Sequence, residues 1–138
     1  MGQQQLLLLV VSLIVVAFAV MAGFSAAETK LRQSEADTLV SRNLAIASEA
    51  VFWKAKRDPY AGGNASYAGL ATDGMQKLFL GETTLTGTFK ITQATSSEVQ
   101  ITAVSNRYPE IGVRTYVRNY HIDSTSVAYD GSITIDEQ

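Results

Sequence analysis

The sequence predicts an α+β fold, with a long N-terminal α-helix, apolar and then amphipathic, packed on a small antiparallel β-sheet of about four strands. Three observations predict it. No Asp, Glu, Lys or Arg occurs before Glu28. No proline precedes Pro59 and no glycine falls between Gly23 and Gly62, so nothing there breaks a helix. From Thr83 the apolar period changes to two, the period of a half-buried strand.

The first element is the apolar run from Leu6 to Ala27, interrupted only by Ser12, Gly23 and Ser25. At 1.5 Å per residue it makes a helix of about 33 Å, enough to span the hydrocarbon core of a bilayer. A spanning segment must satisfy its backbone hydrogen bonds internally, which a helix does. Three readings compete for it. A cleaved signal peptide would find small residues at Ser25, Ala26 and Ala27. Against that, Met1, Gly2 and Gln3 to Gln5 supply no positive n-region, and the apolar run exceeds the usual 7–15 residues. A plain single-pass anchor is the second reading, and an anchor that doubles as a filament-core helix is the third.

The residues after Glu28 favour the third. Ala36, Val40, Leu44, Ala47 and Val51 recur in steps of four and three, a helical stripe. Leu39, Asn43, Ile46, Ala50 and Trp53 lie beside it and widen the face to be buried. Lys54, Lys56 and Arg57 crowd the end, where cations suit a helix C-terminus, and Asp58-Pro59 stops the helix. One helix from Gln3 to Arg57 would be about 80 Å long, more than a membrane anchor requires. The alternative is a kink near Gly23 and a separate amphipathic helix. The expected organisation is thus a helix over 1–57, with a membrane or filament-core part at 6–27 and an amphipathic part at 28–57, and a β-rich globular domain over 58–138.

Asp58 to Thr72 reads as loop, and Asp73 to Leu80 as a short helix capped by Thr72 or Asp73 and closed by Gly81. Leu85, Gly87, Phe89 and Ile91 alternate with polar residues as a first strand. Val99, Ile101 and Ala103 do the same within Glu98 to Val104. Ile111 to Ile122 reads as one longer strand, with Val113, Thr115 and Val117 on one face and Arg114, Tyr116, Arg118 and Tyr120 on the other. Val127 to Ile135 contains Asp130-Gly131, a strong hairpin signal. Alternation of this kind suits an antiparallel sheet with one covered face, and the helix stripe is the natural cover.

Composition narrows the function. The 138 residues allow about one domain, and a net charge of −2 gives no basic footprint for nucleic acid. Cysteine is absent, which removes disulfides and thiolate metal sites. Stability is then expected to draw on burial against neighbouring subunits. His121 is the sole histidine and has no nucleophile motif beside it, so a structural strand residue is expected rather than a general base. Asp123, Asp130, Asp136 and Glu137 are calcium-type ligands, but their spacing matches no EF-hand loop and solvated turn carboxylates are expected. Gly62-Gly63 lacks the pattern of a phosphate loop. Phe52 and Trp53 are expected in the core or at subunit contacts. Arg114, Tyr116, Arg118 and Tyr120 form either a subunit contact or a solvent face. Asn64-Ala65-Ser66 fits the N-glycosylation sequon, which makes Asn64 a candidate modification site. No enzyme, cofactor or metal is expected.

A long helix, apolar then amphipathic, followed by a loop and a meandering antiparallel sheet resembles the type IV pilins and the pseudopilins of type II secretion. The resemblance covers the layout of the whole chain, with its sequence specificity in about the first thirty residues. It implies a structural subunit held in the inner membrane by its apolar helix before assembly, then packed by that helix into the core of an extracellular cell-surface filament. Leu6, Leu9, Leu13, Val16, Val20 and Phe24 would form that contact, helped by the small residues Ala17, Ala19, Ala22, Gly23 and Ser25. It also implies a cytoplasmic ATPase, a membrane platform protein and a prepilin peptidase. Such filaments serve adhesion, motility, secretion or DNA uptake. The family usually carries a glutamate at its fifth mature position. If Met1 is the mature start, Gln5 stands there and offers an uncharged polar contact; if cleavage follows Gly2, that position is Leu7. Lys30, Arg32 and Arg42 alone would favour a cytoplasmic C-terminus, so external placement follows from the resemblance. The alternative is a membrane-tethered minor pilin, pseudopilin or adhesin-like binding module that does not itself form the filament.

Overall fold

With no internal breaker, the N-terminal half runs as one helix, α1 (Gly2–Ala55), in a computed structural model that describes residues 2–136. After it come a 3₁₀ turn (Ala68–Ala71), a one-turn helix α2 (Gly74–Lys77) and four strands: β1 (Gly87–Ala94), β2 (Glu98–Ser105), β3 (Gly112–Arg118) and β4 (His121–Ala128). The strands form one antiparallel meander in the order β1-β2-β3-β4. The α+β class expected from the sequence is therefore the observed one. Internal contacts divide the chain into two units, Met1–Gln33 and Ser34–Gln138.

In the first unit, no residue of α1 is fully buried and only Arg32 is half-buried. An 18-residue window reaches a mean hydropathy of 3.0, so the helix is long and apolar enough to cross a membrane. Two of this unit's three hydroxyls are satisfied locally. Ser12 Oγ donates to the Leu8 carbonyl at 2.7 Å, and Thr29 Oγ1 to that of Ser25 at 3.0 Å, which removes their need for water.

In the second unit, the later turns of α1 cover one sheet face. Leu39, Ile46, Ala47 and Ala50 meet Phe89, Val99, Ile101, Ala103, Val113 and Val117 in a single core. The expected stripe is rotated, because Val40, Leu44 and Val51 are only half-buried. The deepest row is Ala36, Leu39, Asn43, Ile46, Ala50 and Lys54. Ala36 and Ala47 of the expected stripe are nevertheless buried.

β1 and β2 match the expected alternation, but Leu85 lies outside the strand and is fully exposed. A turn closes there: the Thr84 N–H donates to the Gly87 carbonyl at 2.8 Å, and the Gly87 N–H to Thr84 Oγ1 at 3.2 Å. The strand expected from Ile111 to Ile122 is two strands. The chain reverses at Asn119-Tyr120, where Asn119 takes φ +55°, a left-handed conformation asparagine tolerates. The fourth strand is accordingly His121–Ala128, not Val127 to Ile135. Asp130-Gly131 makes no hairpin. Instead the Gly131 N–H donates to the Glu110 carbonyl at 2.9 Å and turns the chain back, so that Ile133 is buried against Gly112.

α2 is also shorter than expected. Asp73 precedes it at φ +53° and makes no side-chain cap. Its C-terminal reversal falls on Phe79 (φ +58°), two residues before Gly81. The Phe79 N–H donates to Gln76 and the Leu80 N–H to Met75, a Schellman pattern with phenylalanine where glycine is usual.

Candidate functional site

The segment expected to make the filament core is wholly uncovered. Leu6, Leu9, Leu13, Val16, Val20 and Phe24 are all exposed, Phe24 to 73%. Full burial of such side chains gains about 1.5–3 kcal/mol each, so those six alone leave about 10–20 kcal/mol unrealised in water. That matches or exceeds the whole stability of an ordinary domain, about 5–15 kcal/mol. The segment is long and apolar enough to insert in a membrane. Gln5 sits exposed in the first turns of α1.

The end of α1 is fastened by a device the sequence does not advertise. Lys54 is only 3% exposed. Its Nζ donates to the Asn119 carbonyl at 3.2 Å and lies over the rings of Tyr67, at 4.4 Å, and Tyr120, at 4.8 Å. Tyr67 Oη donates to the same carbonyl at 2.5 Å. Helix end, loop and β3–β4 turn thus converge on one oxygen. Burial first, and then the neighbouring Tyr120 phenol, push the Tyr67 phenol up to about 12. Tyr120 belongs to this cluster and not to the outer face with Arg114 and Tyr116, because the chain turns before it.

The last carbonyls of α1 are capped by the loop. The Gly63 N–H donates to Trp53 and the Ala65 N–H to Lys54, both at 2.9 Å, and the Asn64 N–H to Lys56 at 3.3 Å. The Trp53 ring lies so close to Gly63 and Gly69 that a Cβ would fall 2.6 and 2.7 Å from it. Asn64 itself is exposed at φ +49°.

Beside Trp53 opens a hollow of about 150 Å³, lined by Phe52, Phe79 and Leu78 with Lys56, Lys77 and Glu49. Phe52 is 68% exposed and Phe79 is 93% exposed. A second hollow of about 90 Å³ lies among Gln93, Gln100, Tyr116, Arg118 and Asp123, with Val99 and Val117 also in its lining. Arg118 is held there by Glu98 at 2.8 Å. His121 opens β4 opposite Arg118, is exposed and lines neither hollow.

Among the described residues, Asp123, Asp130 and Asp136 join no three-residue group able to hold a metal ion; Glu137 lies outside them. Asp130 accepts the Ser132 N–H at 3.0 Å, and hydrogen bonds from Ser132 hold its carboxyl below the usual range.

No protein-family model, curated protein or solved structure matches this chain. The long apolar helix on a small four-stranded antiparallel sheet is compatible with a pilin-like fold.

Proposed function

We propose that this chain is a structural subunit of an extracellular, type IV pilus-like filament that polymerises through Leu6 to Ala27. The uncovered apolar helix carries the proposal. Its side chains are stable in two settings, a bilayer and a bundle of like helices, and a subunit that moves from one to the other uses both. The apolar segment and the residues that cover the sheet belong to one helix, Gly2–Ala55. The partners in this account are other copies of the chain, the inner membrane before assembly, and an export machine of ATPase, platform protein and prepilin peptidase.

The alternative, a tethered minor pilin or binding module, would use the same anchor and offer the Phe52–Phe79 hollow to a separate target. Negative-stain electron microscopy of material sheared from cells, with mass spectrometry of the subunit N-terminus, separates the two. Thin filaments built of this chain and retaining Leu6 to Ala27 are expected. A chain that stays with the membranes, or is shed as a monomer beginning near Glu28, would point to the tethered or secreted module instead.

A further inference from the structure

We infer that opposite edges of the sheet meet between copies, the Phe52–Trp53–Phe79 hollow of one copy receiving the outer edge of β4 from the next. The identity of the occupant, a second copy of this chain, rests on the filament reading, which this contact deepens.

Topology separates the two surfaces. β1 and β4 are the outer strands of the meander. The 3₁₀ turn and α2 lie against β1, and Leu78 and Phe79, which follow α2, line the hollow. Leu78 and Phe79 therefore lie on the β1 side of the sheet and β4 forms its other edge, although the end of α1 that also lines the hollow reaches the β3–β4 turn through Lys54.

The edges also differ in how they are finished. The β1 edge is covered at its start, where the Phe89 N–H donates to the Glu82 carbonyl and Thr83 bridges to Thr88. Among the described residues β4 pairs only with β3, and Thr125 and Ala128 alone in it are even half-buried. β4 carries one charge, Asp123, where its register shifts against β3, and Ser124 to Tyr129 beyond it contains no charge and no proline, devices that commonly blunt an edge strand. Ile122, Val127 and Tyr129 stand exposed along or beside it.

Charge selects the pairing. The hollow presents Lys56 and Lys77 against Glu49, with the Lys77 ammonium bonded to the Gly69 carbonyl. From Asn119 to Asp136 the chain has Asp123, Asp130 and Asp136 and no Lys or Arg. Each surface complements the other better than itself, which favours a head-to-tail contact over a two-fold one. A head-to-tail contact can repeat without closing, as a filament requires.

Strain supplies the independent sign. Phe79 holds a left-handed backbone that a β-carbon disfavours, with its ring almost wholly in solvent. Strain kept at an exposed aromatic residue points to a use outside the fold.

The test places benzoylphenylalanine at Phe79 in the full chain, irradiates cells or sheared filaments, and maps cross-links by mass spectrometry of mixed light- and heavy-isotope copies. Cross-links from Phe79 to residues 119–130 of another copy, forming a ladder, are expected. Phe79→Gly, which carries no cross-linker, is expected to raise the thermal midpoint while cutting the assembled fraction about tenfold, the loss of one interface anchor. Links confined to one copy, links between two hollows, no links at all, or unchanged assembly with Phe79→Gly would each overturn the contact. Filaments without the link would refute this contact and leave the filament reading standing. The link in membranes without filaments would do the reverse.

Discussion

Lys54 shows how one side chain joins three parts of the second unit. Its ammonium is withdrawn from water and rests on the Asn119 carbonyl and two tyrosine faces, where a carboxylate would be the usual partner. Charge-assisted hydrogen bonds contribute about 1.5–3 kcal/mol and cation–π contacts about 0.5–2. Against this stands the desolvation of the cation. Lys54→Ala removes these contacts and opens a cavity, and is expected to lower stability by about 2–4 kcal/mol, measured by denaturant unfolding followed through Trp53. Tyr67 adds a pH signature. Its folded value near 12 lies above the ordinary 10, so its contribution is fully present below pH 10 and is lost as pH rises from 10 to 12. Tyr67→Phe should flatten the stability profile across that window. An equal alkaline loss in Tyr67→Phe would contradict the assignment.

At the scale of elements, the helix–sheet interface contains one polar residue with an incomplete set of bonds. Asn43 is fully buried, its Nδ2 reaches the Val113 carbonyl at 3.4 Å, and its Oδ1 has no partner. An unsatisfied buried acceptor costs about 1–3 kcal/mol, so Asn43→Leu is expected to raise stability by about 1 kcal/mol, read as a higher denaturant midpoint. A fall would mean the amide holds the register of α1 on β3 through a bond stronger than its length suggests. Much of this layer is legible in the sequence. β1 and β2 announce themselves by strict alternation, and α1 by the absence of breakers. The β3–β4 turn is hidden because Asn119-Tyr120 contains neither glycine nor proline and Tyr120 and Ile122 keep the strand-favouring composition going, while Asp130-Gly131 offers a false turn. The buried face of α1 takes in Ala36 and Ala47 of the expected stripe and Leu39, Asn43, Ile46 and Ala50 beside it, while Val40, Leu44 and Val51 stay half-buried; apolarity alone does not rank the rows, because Val40 and Leu44 are as apolar as Leu39 and Ile46. Lys54 and Tyr67 are not legible at all, since a lysine at a helix end ordinarily answers the macrodipole and a loop tyrosine is ordinarily exposed. Phe79 is equally hidden, because Gly81 offers the more natural place for the reversal after α2.

The whole molecule combines two units with different demands. Ser34 onward has its own core, whereas α1 up to Gln33 has none. In the proposed filament the second deficit is met by copies of the same segment. The absence of cysteine makes this directly testable, since Val16→Cys introduces the sole thiol of the chain. The most direct measurement is oxidative cross-linking of the full-length Val16→Cys chain, comparing sheared extracellular material with membranes. Disulfide-linked dimers in the sheared filaments, with the thiol shielded there from water-soluble maleimide, are the predicted result. A chain confined to membranes as an uncross-linked monomer, or filaments in which the thiol is freely labelled, would contradict it.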